Sequence, residues 1–373
     1  MIPSDVVAAG DYEAHARSRM GENAWAYISG GSDDERTLRW NSEAFARLRL
    51  RGRALPDVRD VDTRVTLFGR TLEHPILLAP AAFHRLVHPD GELATALGAS
   101  AMQAGFVVST QASVTLEAIA ARASAPLWFQ LYVQSDRGFT GALVRRAEAA
   151  GYQALVVTVD APVSLRNREQ RAGFRLPPGV EAVNLRGQPA PPPARDEREA
   201  LRSLLAAAAR WEDIAWLRGF TTLPILLKGI LDPADAERAV AHGADGIIVS
   251  NHGGRVLDTV PASIEALPAV AERVAGRVPV LMDGGVRRGT DVVKALALGA
   301  SAVLVGRPYL HALAVGGPAG VAHLLKILRT ELEVAMALTG CPSLARIDRS
   351  VLWPDHAGLP NRPPAQGNRV NGL

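Results

Sequence analysis

Short, continuous apolar runs recur along the middle of the chain, separated by longer segments with helical periodicity. Continuous runs, in contrast to alternating ones, are typical of strands that are buried on both faces of a parallel sheet. We number the predicted strands one to eight in chain order. They comprise residues 75–79, 105–108, 127–131, 154–159, 224–228, 246–250, 279–282 and 302–305.

Helix start signals lie between several of these runs. Asp232-Pro233 supplies a preferred N-cap residue and a proline for the first turn, and it predicts a helix that ends near His242. Thr290-Asp291 begins another helix, which runs to about Leu298. Eight strands with intervening helices predict an α/β fold of the (β/α)8 barrel (TIM barrel) class.

Three regions lie outside this repeat. Residues 1–74 contain a helical stretch from about Ala14 to Ile28, and they predict an N-terminal helical cap over one barrel end. A closing helix is expected over 318–338, and a flexible tail over 354–373. We therefore expect residues 1–353 to form a single domain.

A long insertion follows predicted strand four. The starts of strands four and five are about 70 residues apart, and the proline-rich run 188–195 between them excludes regular structure there. The insertion is interpreted either as a cover for an active site or as a disordered linker.

Composition excludes several classes of protein. A chain of 373 residues that is 48% hydrophobic can bury a large core, which excludes a disordered chain and a disulfide scaffold. The net charge of +3 and the lack of a dense basic cluster exclude nucleic acid as the expected partner. Cys341 is the only cysteine, so no thiolate metal site is expected. Without a targeting segment or an apolar run of about 18–20 residues, we expect a cytoplasmic protein with no membrane partner.

Polar or small residues occur at the carboxyl ends of all eight predicted strands, which packing alone does not explain. In barrels of this class, reactive residues lie at the carboxyl ends of the strands. The candidate site residues are Pro80, Ala81, Ala82, Ser109, Gln130, Tyr132, Thr158, Asp160, Lys228, Ser250, Asn251, His252, Asp283, Gly284, Gly285, Gly306 and Arg307.

The ends of strands seven and eight predict an anion site. The segments 283–287 and 306–307 combine glycines, which let backbone N–H groups approach an anion, with Arg287 and Arg307. No P-loop or dinucleotide fingerprint occurs in the context that it requires. We expect a phosphate-bearing cofactor in the barrel; glycine turns with surface arginines are the alternative.

Lys228 is one of only three lysines, since the other basic residues are arginines. A compact ammonium at a strand end can stabilise a developing negative charge, and a structural salt bridge is the alternative.

His252 is the best candidate for a base, because imidazole accepts a proton near neutral pH. Asp160 can orient it, and Arg255 is placed to bind a carboxylate. His84 and His88 follow strand one and are candidates for lining the site. No spacing of ligands indicates a metal.

Together these motifs resemble the FMN-dependent 2-hydroxy-acid oxidase family, which includes glycolate oxidase, lactate oxidase and hydroxymandelate oxidase. The resemblance covers about residues 10–350. It is carried, in order, by the segments 129–132, 158–160, 224–229, 250–255 and 283–290.

The resemblance implies an FMN cofactor, with Lys228 facing the N1–C2 edge of the flavin. His252 is implied as the base with Asp160 as its partner, and Tyr132 and Arg255 as substrate ligands, together with either Arg166 or Arg168. The product is a 2-oxo acid, dioxygen reoxidises the flavin to give hydrogen peroxide, and the chain forms a homotetramer. The implied FMN ligands are Pro80, Ala81, Ala82, Ser109, Gln130, Thr158, Lys228, Ser250, Asp283, Gly284, Gly285, Arg287, Gly306 and Arg307.

Two substrate positions depart from the family pattern. Ala26 stands where the family often has a tyrosine, and Gln111 stands where glycolate oxidase has a tryptophan. The loss of two aromatic side chains predicts a substrate other than glycolate.

Three other activities stay open. Ala82 and the charged, proline-rich insertion favour an oxidase over a dehydrogenase that passes electrons to a quinone or protein. A non-redox phosphate-binding barrel and a non-catalytic flavin-binding barrel are the further alternatives.

Overall fold

The structure is a computed structural model that describes residues 2–162, 169, 173–188 and 195–354. The predicted tail beyond residue 354 lies outside the described residues. So do the candidate arginines Arg166 and Arg168, and most of the proline-rich run 188–195.

The chain begins with a cap of three helices, α1 (Tyr12–Arg19), α2 (Glu22–Ser29) and α3 (Arg36–Arg47). The prediction of one continuous helical stretch from 14 to 28 is wrong at Met20 and Gly21. Both residues adopt extended backbone angles, with ψ values of 136° and 156°. This break separates α1 from α2, whose last residues lie against the barrel opening.

A short antiparallel hairpin follows the cap, and it was not predicted. It consists of β1 (Val65–Leu67) and β2 (Arg70–Leu72). Its apolar side chains pack on the side chains inside the barrel, and the ring of Phe68 lies edge-on to Trp128 with 5.7 Å between centroids. The hairpin therefore closes one end of the barrel core.

Eight parallel strands form a closed barrel, in which the last strand pairs with the first. This confirms the predicted (β/α)8 class, and each predicted strand matches an observed one to within two residues. Leu77, Val107, Trp128 and similar apolar side chains fill the interior of the barrel. Both faces of each strand are buried. The strands are β3 (Ile76–Leu78), β4 (Phe106–Ser109), β5 (Leu127–Leu131), β6 (Leu155–Thr158), β7 (Ile225–Ile230), β8 (Gly246–Val249), β9 (Val280–Asp283) and β10 (Ala302–Val305).

Nine further helices lie in the described barrel and insertion. The helix that begins after Asp232 is confirmed, because its side chain accepts a hydrogen bond from Ala234 N. The helices are α4 (Glu92–Ala101), α5 (Leu116–Ala120), α6 (Arg137–Ala149), α7 (Glu197–Ala207), α8 (Trp211–Arg218), α9 (Pro233–Ala241), α10 (Ser263–Val274), α11 (Gly289–Ala297) and α12 (Arg307–Thr339). Short 3-10 turns occur at Ala9–Asp11, His84–Leu86, Val183–Leu185, Leu344–Arg346 and Arg349–Val351.

Helix α12 contains the predicted closing helix as its second half. A kink at Gly317 (φ 57°, ψ −141°) divides it, and a Cβ there would stand 2.9 Å from His88 Nε2. By length and composition α12 could cross a membrane, but 56% of its most apolar window is buried inside the protein. That burial is typical of a core helix in a globular domain.

The described parts of the insertion after β6 contact the cap. Asn23 and Arg175 exchange two hydrogen bonds, from Asn23 Nδ2 to the Arg175 carbonyl (2.6 Å) and from Arg175 N to Asn23 Oδ1 (3.1 Å). The Phe174 ring stacks on Tyr27 with 4.7 Å between centroids. Residues 173–188 are thus attached to α2, beside the carboxyl end of the barrel.

Candidate active site

A cavity opens where the carboxyl ends of the strands meet the cap. It encloses about 1050 Å³, including its open mouth. Most of the predicted site residues line it. These are Pro80, Ala81, Ala82, Ser109, Gln111, Gln130, Tyr132, Thr158, Lys228, His252, Arg255, Asp283, Gly284, Gly285, Arg287, Gly306 and Arg307.

His252 and Asp160 form a hydrogen-bonded pair at one side of the cavity. His252 Nδ1 lies 3.0 Å from Asp160 Oδ1, and both side chains are largely buried. Burial opposes ionisation of Asp160, but the neighbouring His252 and Lys228 outweigh it, so its pKa is lowered. An ionised Asp160 fixes the imidazole orientation and leaves Nε2 available to a substrate.

Lys228 lies at the floor of the cavity as a buried cation. Its Nζ donates to Ser250 Oγ (2.9 Å) and lies 3.0 Å from Asp283 Oδ2. Burial alone would lower the pKa of Lys228, but the charges of Asp283 and Asp160 outweigh it and raise that pKa. The site therefore presents a fixed positive charge. Lys228 forms a salt bridge with Asp283 and also lines the cavity, so the two alternatives expected for it coexist.

A row of neutral polar side chains crosses three adjacent strands. Ser109 Oγ donates to Gln130 Oε1 (3.2 Å), and Gln130 Nε2 donates to Thr158 Oγ1 (3.0 Å). Because each side chain fixes the next one, the row offers oriented hydrogen-bonding groups to a planar polar molecule.

The part of the cavity formed by Gly284, Gly285, Arg287 and Arg307 has the features of an anion-binding site. Gly284 and Gly285 have φ values of 91° and 90°, and a Cβ at Gly285 would stand 2.3 Å from the Asn41 carbonyl oxygen. Burial and the charges of Arg255 and Arg287 lower the pKa of Arg307 to about 9, and burial lowers the pKa of Arg287. Arginines gathered in a buried site are stabilised by a bound anion such as phosphate.

Carbonyl oxygens of the cap orient two of these arginines. Arg255 Nη1 donates to the carbonyls of Tyr27 (2.8 Å) and Gly30 (2.9 Å). Arg307 Nη2 donates to the same Gly30 carbonyl at 2.8 Å. The Arg255 guanidinium also lies over the Tyr27 ring and 3.7 Å from Glu169 Oε2. The cap is thus a part of the site wall.

Four of the described candidate residues lie outside the cavity lining, namely Asp160, Ser250, Asn251 and Ala26. Asp160 lies behind His252, and Ser250 Oγ lies behind Lys228, where it accepts a second hydrogen bond from His252 N (3.0 Å). Ala26 does not line the cavity, whereas its neighbour Tyr27 does. The carbonyl of Ala26 instead ends α2 by accepting from Gly30 N.

The expectation that His84 and His88 line the site is wrong. His84 is fully buried, with its ring between Thr95 Oγ1 (2.9 Å) and the Tyr309 hydroxyl (3.1 Å). Burial lowers its pKa, so the ring is neutral. His88 lies beside the α12 kink at Gly317. Neither histidine therefore belongs to the lining of the cavity.

The sequence interpretation missed the residues that the cap contributes. No local pattern identifies them, because their partners lie some 200 residues further along the chain. They are Tyr27, Ile28, Leu38, Asn41 and Ser42.

The amino-acid sequence is similar to those of proteins with a named family or activity. The FMN-dependent dehydrogenase family matches residues 16–354. An L-lactate oxidase of Nostoc sp. is 47% identical over 352 residues, covering 92% of this chain and 96% of the relative. Glycolate oxidase of Spinacia oleracea is 43% identical over 363 residues, covering 96% of this chain and 98% of the relative.

Solved structures agree in fold. Mandelate oxidase with (S)-2-phenylpropionate superposes with a TM-score of 0.85 at 43% identity, covering 93% of this chain and 98% of the other. Mandelate oxidase with benzoyl-formic acid gives the same values.

Proposed function

The chain belongs to the FMN-dependent dehydrogenase family, and from that membership we propose that it oxidises a 2-hydroxy acid to the corresponding 2-oxo acid. The observation that carries the proposal is the His252–Asp160 pair, which lies beside the buried Lys228 cation in one cavity. A base, a positive charge and a carboxylate-binding arginine are the three groups that this oxidation requires.

The cavity fits FMN by its chemistry. Among the described residues, Asp283 Oδ1 is buried without a hydrogen-bond partner, as expected for an atom that bonds to a polar cofactor. Arg287, Arg307 and the Gly284–Gly285 backbone would hold the phosphate, and Ser109, Gln130 and Thr158 would hold the ring. When bound, FMN supplies the acceptor for the two electrons that leave the substrate C–H bond.

His252 would remove the proton of the substrate hydroxyl through Nε2, because Nδ1 is engaged by Asp160. The Asp160 carboxylate stabilises the imidazolium that results. Arg255 would bind the substrate carboxylate and Tyr132 the hydroxyl end. Lys228 would stabilise the negative charge that develops at the floor of the site.

Anaerobic bleaching tests the proposal. The purified yellow protein is mixed without oxygen with lactate, glycolate, mandelate or a branched 2-hydroxy acid, and the flavin absorbance is followed. We expect at least one acid to bleach it. His252→Ala should stay yellow without bleaching, whereas His242→Ala, at the residue that directly follows α9 and does not line the cavity, should bleach normally. A wild-type protein that no 2-hydroxy acid bleaches would contradict the proposal.

We propose dioxygen as the electron acceptor, in line with the relatives that are named oxidases. Under air, one hydrogen peroxide should then form per 2-oxo acid. Turnover that needs a dye or quinone and yields no peroxide would favour the dehydrogenase alternative. A yellow protein that is never reduced would be a flavin-binding barrel without catalysis.

Gln111 lines the cavity at the position where glycolate oxidase has a tryptophan, and this supports a substrate other than glycolate. We further propose a cytoplasmic location and a homotetramer. Light scattering after size exclusion would measure the subunit number, and cell fractionation would test the location.

A further inference from the structure

Asn41 of the cap helix α3 makes a reciprocal pair with Asn251 of the barrel. Asn41 Nδ2 donates to Asn251 Oδ1 (3.0 Å), and Asn251 Nδ2 donates to Asn41 Oδ1 (2.8 Å). Both residues are buried, at 2% and 4% exposure. Two amides that satisfy each other inside the protein fix each other's plane, because rotation of either one would leave buried groups unpaired.

Asn251 directly precedes His252, and His252 has a strained backbone. Its φ is +56°, in the left-handed region that non-glycine residues rarely adopt. Such a conformation persists only where the surrounding structure enforces it. Asn251 is also fixed on its other sides, since its backbone N donates to Ser263 Oγ (3.1 Å) and its Nδ2 to the Pro261 carbonyl (3.0 Å).

Asn41 also lies against the glycine pair Gly284–Gly285 that follows β9. Its carbonyl oxygen fills the space that a Cβ at Gly285 would need. Its Oδ1 would stand 3.2 Å from a Cβ at Gly284. One cap residue therefore touches both the loop that carries His252 and the loop that is expected to hold the cofactor phosphate.

We propose that Asn41 is a positioning residue, which keeps the His252 loop in register with the Gly284–Gly285 loop. The reaction concerned is that of the proposed function, on which this inference rests. Without the Asn41 amide, the imidazole loses its alignment with a substrate lying on the cofactor. Since the misplaced group acts in the transition state, kcat and kcat/KM should fall together while KM changes little.

The test variant is Asn41→Asp, which keeps the size and one acceptor but cannot donate to Asn251 Oδ1. The control is Thr37→Val on the same helix. Thr37 Oγ1 donates to the Val260 carbonyl (3.0 Å), so this change also removes a buried bond between cap and barrel, but not the Asn251 pair. Asn41→Ser serves as a second variant if Asn41→Asp does not fold.

Three quantities are measured: the anaerobic rate of flavin reduction, the FMN dissociation constant, and the ¹⁵N NMR signal of the His252 ring, identified by its loss in His252→Ala. For the Asn41 variants we expect a rate about ten- to a hundred-fold lower and a shifted His252 signal. Thr37→Val should lower the melting temperature while leaving the rate and the signal unchanged.

An Asn41 variant that is destabilised but keeps the wild-type rate and His252 signal would overturn the inference and leave Asn41 a purely structural residue. Failure of the proposed function is distinguishable, because in that case no 2-hydroxy acid bleaches the wild type. The NMR comparison then decides alone: an unchanged His252 signal overturns the role of Asn41, and a shifted one supports it.

Discussion

Gly229 and Asp160 are packed so closely that residue 229 cannot carry a side chain. A Cβ at Gly229 would stand 2.5 Å from both Cβ and Cγ of Asp160. Gly229 lies at a register shift in β7, between Lys228 and Ile230, with a φ of +113°. The position of the carboxylate that orients His252 therefore depends on a missing side chain in the neighbouring strand.

We expect Gly229→Ala to displace Asp160 and to lower the rate of flavin reduction by about ten-fold or more. The control is Gly243→Ala, where φ is +82° but no atom of the described residues, its two chain neighbours aside, lies within 4 Å of the new Cβ. The control should lose about 1 kcal/mol of stability through backbone strain and keep its rate. Stopped-flow reduction and thermal unfolding measure the two effects; equal rates in both variants would contradict this assignment.

Arg287→Met should have opposite effects on cofactor binding and on the apoprotein. Removal of a charge-assisted bond to phosphate should raise the FMN dissociation constant about ten- to a hundred-fold. The apoprotein should melt at a higher temperature, because burial disfavours this cation and lowers its pKa. Arg288→Met, an exposed neighbour paired with Glu331, removes the same charge and should leave FMN affinity unchanged. Fluorescence titration and calorimetry decide, and parallel losses of affinity and stability would contradict the prediction.

The free energy of unfolding should fall when the solution is acidified from pH 6.5. Burial lowers the pKa of His74 to about 4, and burial with the charges of Arg287 and Arg307 lowers the pKa of His311 to about 3. Unfolded histidine takes up a proton near pH 6.5, so this stability is present above that pH and is lost as the pH falls towards the folded values. Urea unfolding should show a loss of about 2 kcal/mol per histidine between pH 6.5 and 5. His74→Gln should reduce that loss by one histidine's share, and an unchanged pH slope would contradict this.

Asn23→Ala should weaken the attachment of the segment 173–188 to α2. The variant loses both hydrogen bonds to Arg175, and the Phe174 ring beside Tyr27 becomes less fixed. We expect KM for the 2-hydroxy acid to rise about five-fold, with a smaller change in flavin reduction at saturating substrate. Glu22→Ala, which removes the neighbouring ion pair to Arg17, should leave KM unchanged. Steady-state kinetics under air measures both, and equal KM values would show that the attachment does not affect binding.

The barrel could be predicted because its strands are short apolar runs, whereas the segments between them mix apolar and polar residues. Runs such as 127–131 and 302–305 consist almost entirely of apolar residues, and the observed β5 and β10 have the same bounds. The hairpin β1–β2 was missed because its short strands contain Thr66, Arg70 and Thr71 and therefore lack a continuous apolar run. The break at Met20 and Gly21 was missed because an isolated glycine does not by itself end a helix.

In the candidate site, too, some residues could be identified from the sequence and others could not. Lys228, His252 and Asp283 could be identified because the barrel rule places reactive residues at the carboxyl ends of the strands. Asn41 and Tyr27 could not, because they contribute through contacts with residues that follow more than 200 positions later. The interior location of His84 was missed as well, since a residue next to a strand end can point either way.

The pairing of Asn41 with Asn251 has a consequence for how the enzyme is made. During synthesis α3 leaves the ribosome long before β8, so a polar side chain that is finally buried must stay hydrated until most of the barrel exists. The closing contact of β10 with β3 comes later still. The residues expected to hold FMN extend as far as Arg307. The cofactor can therefore bind and stabilise the fold only after most of the chain has been synthesised.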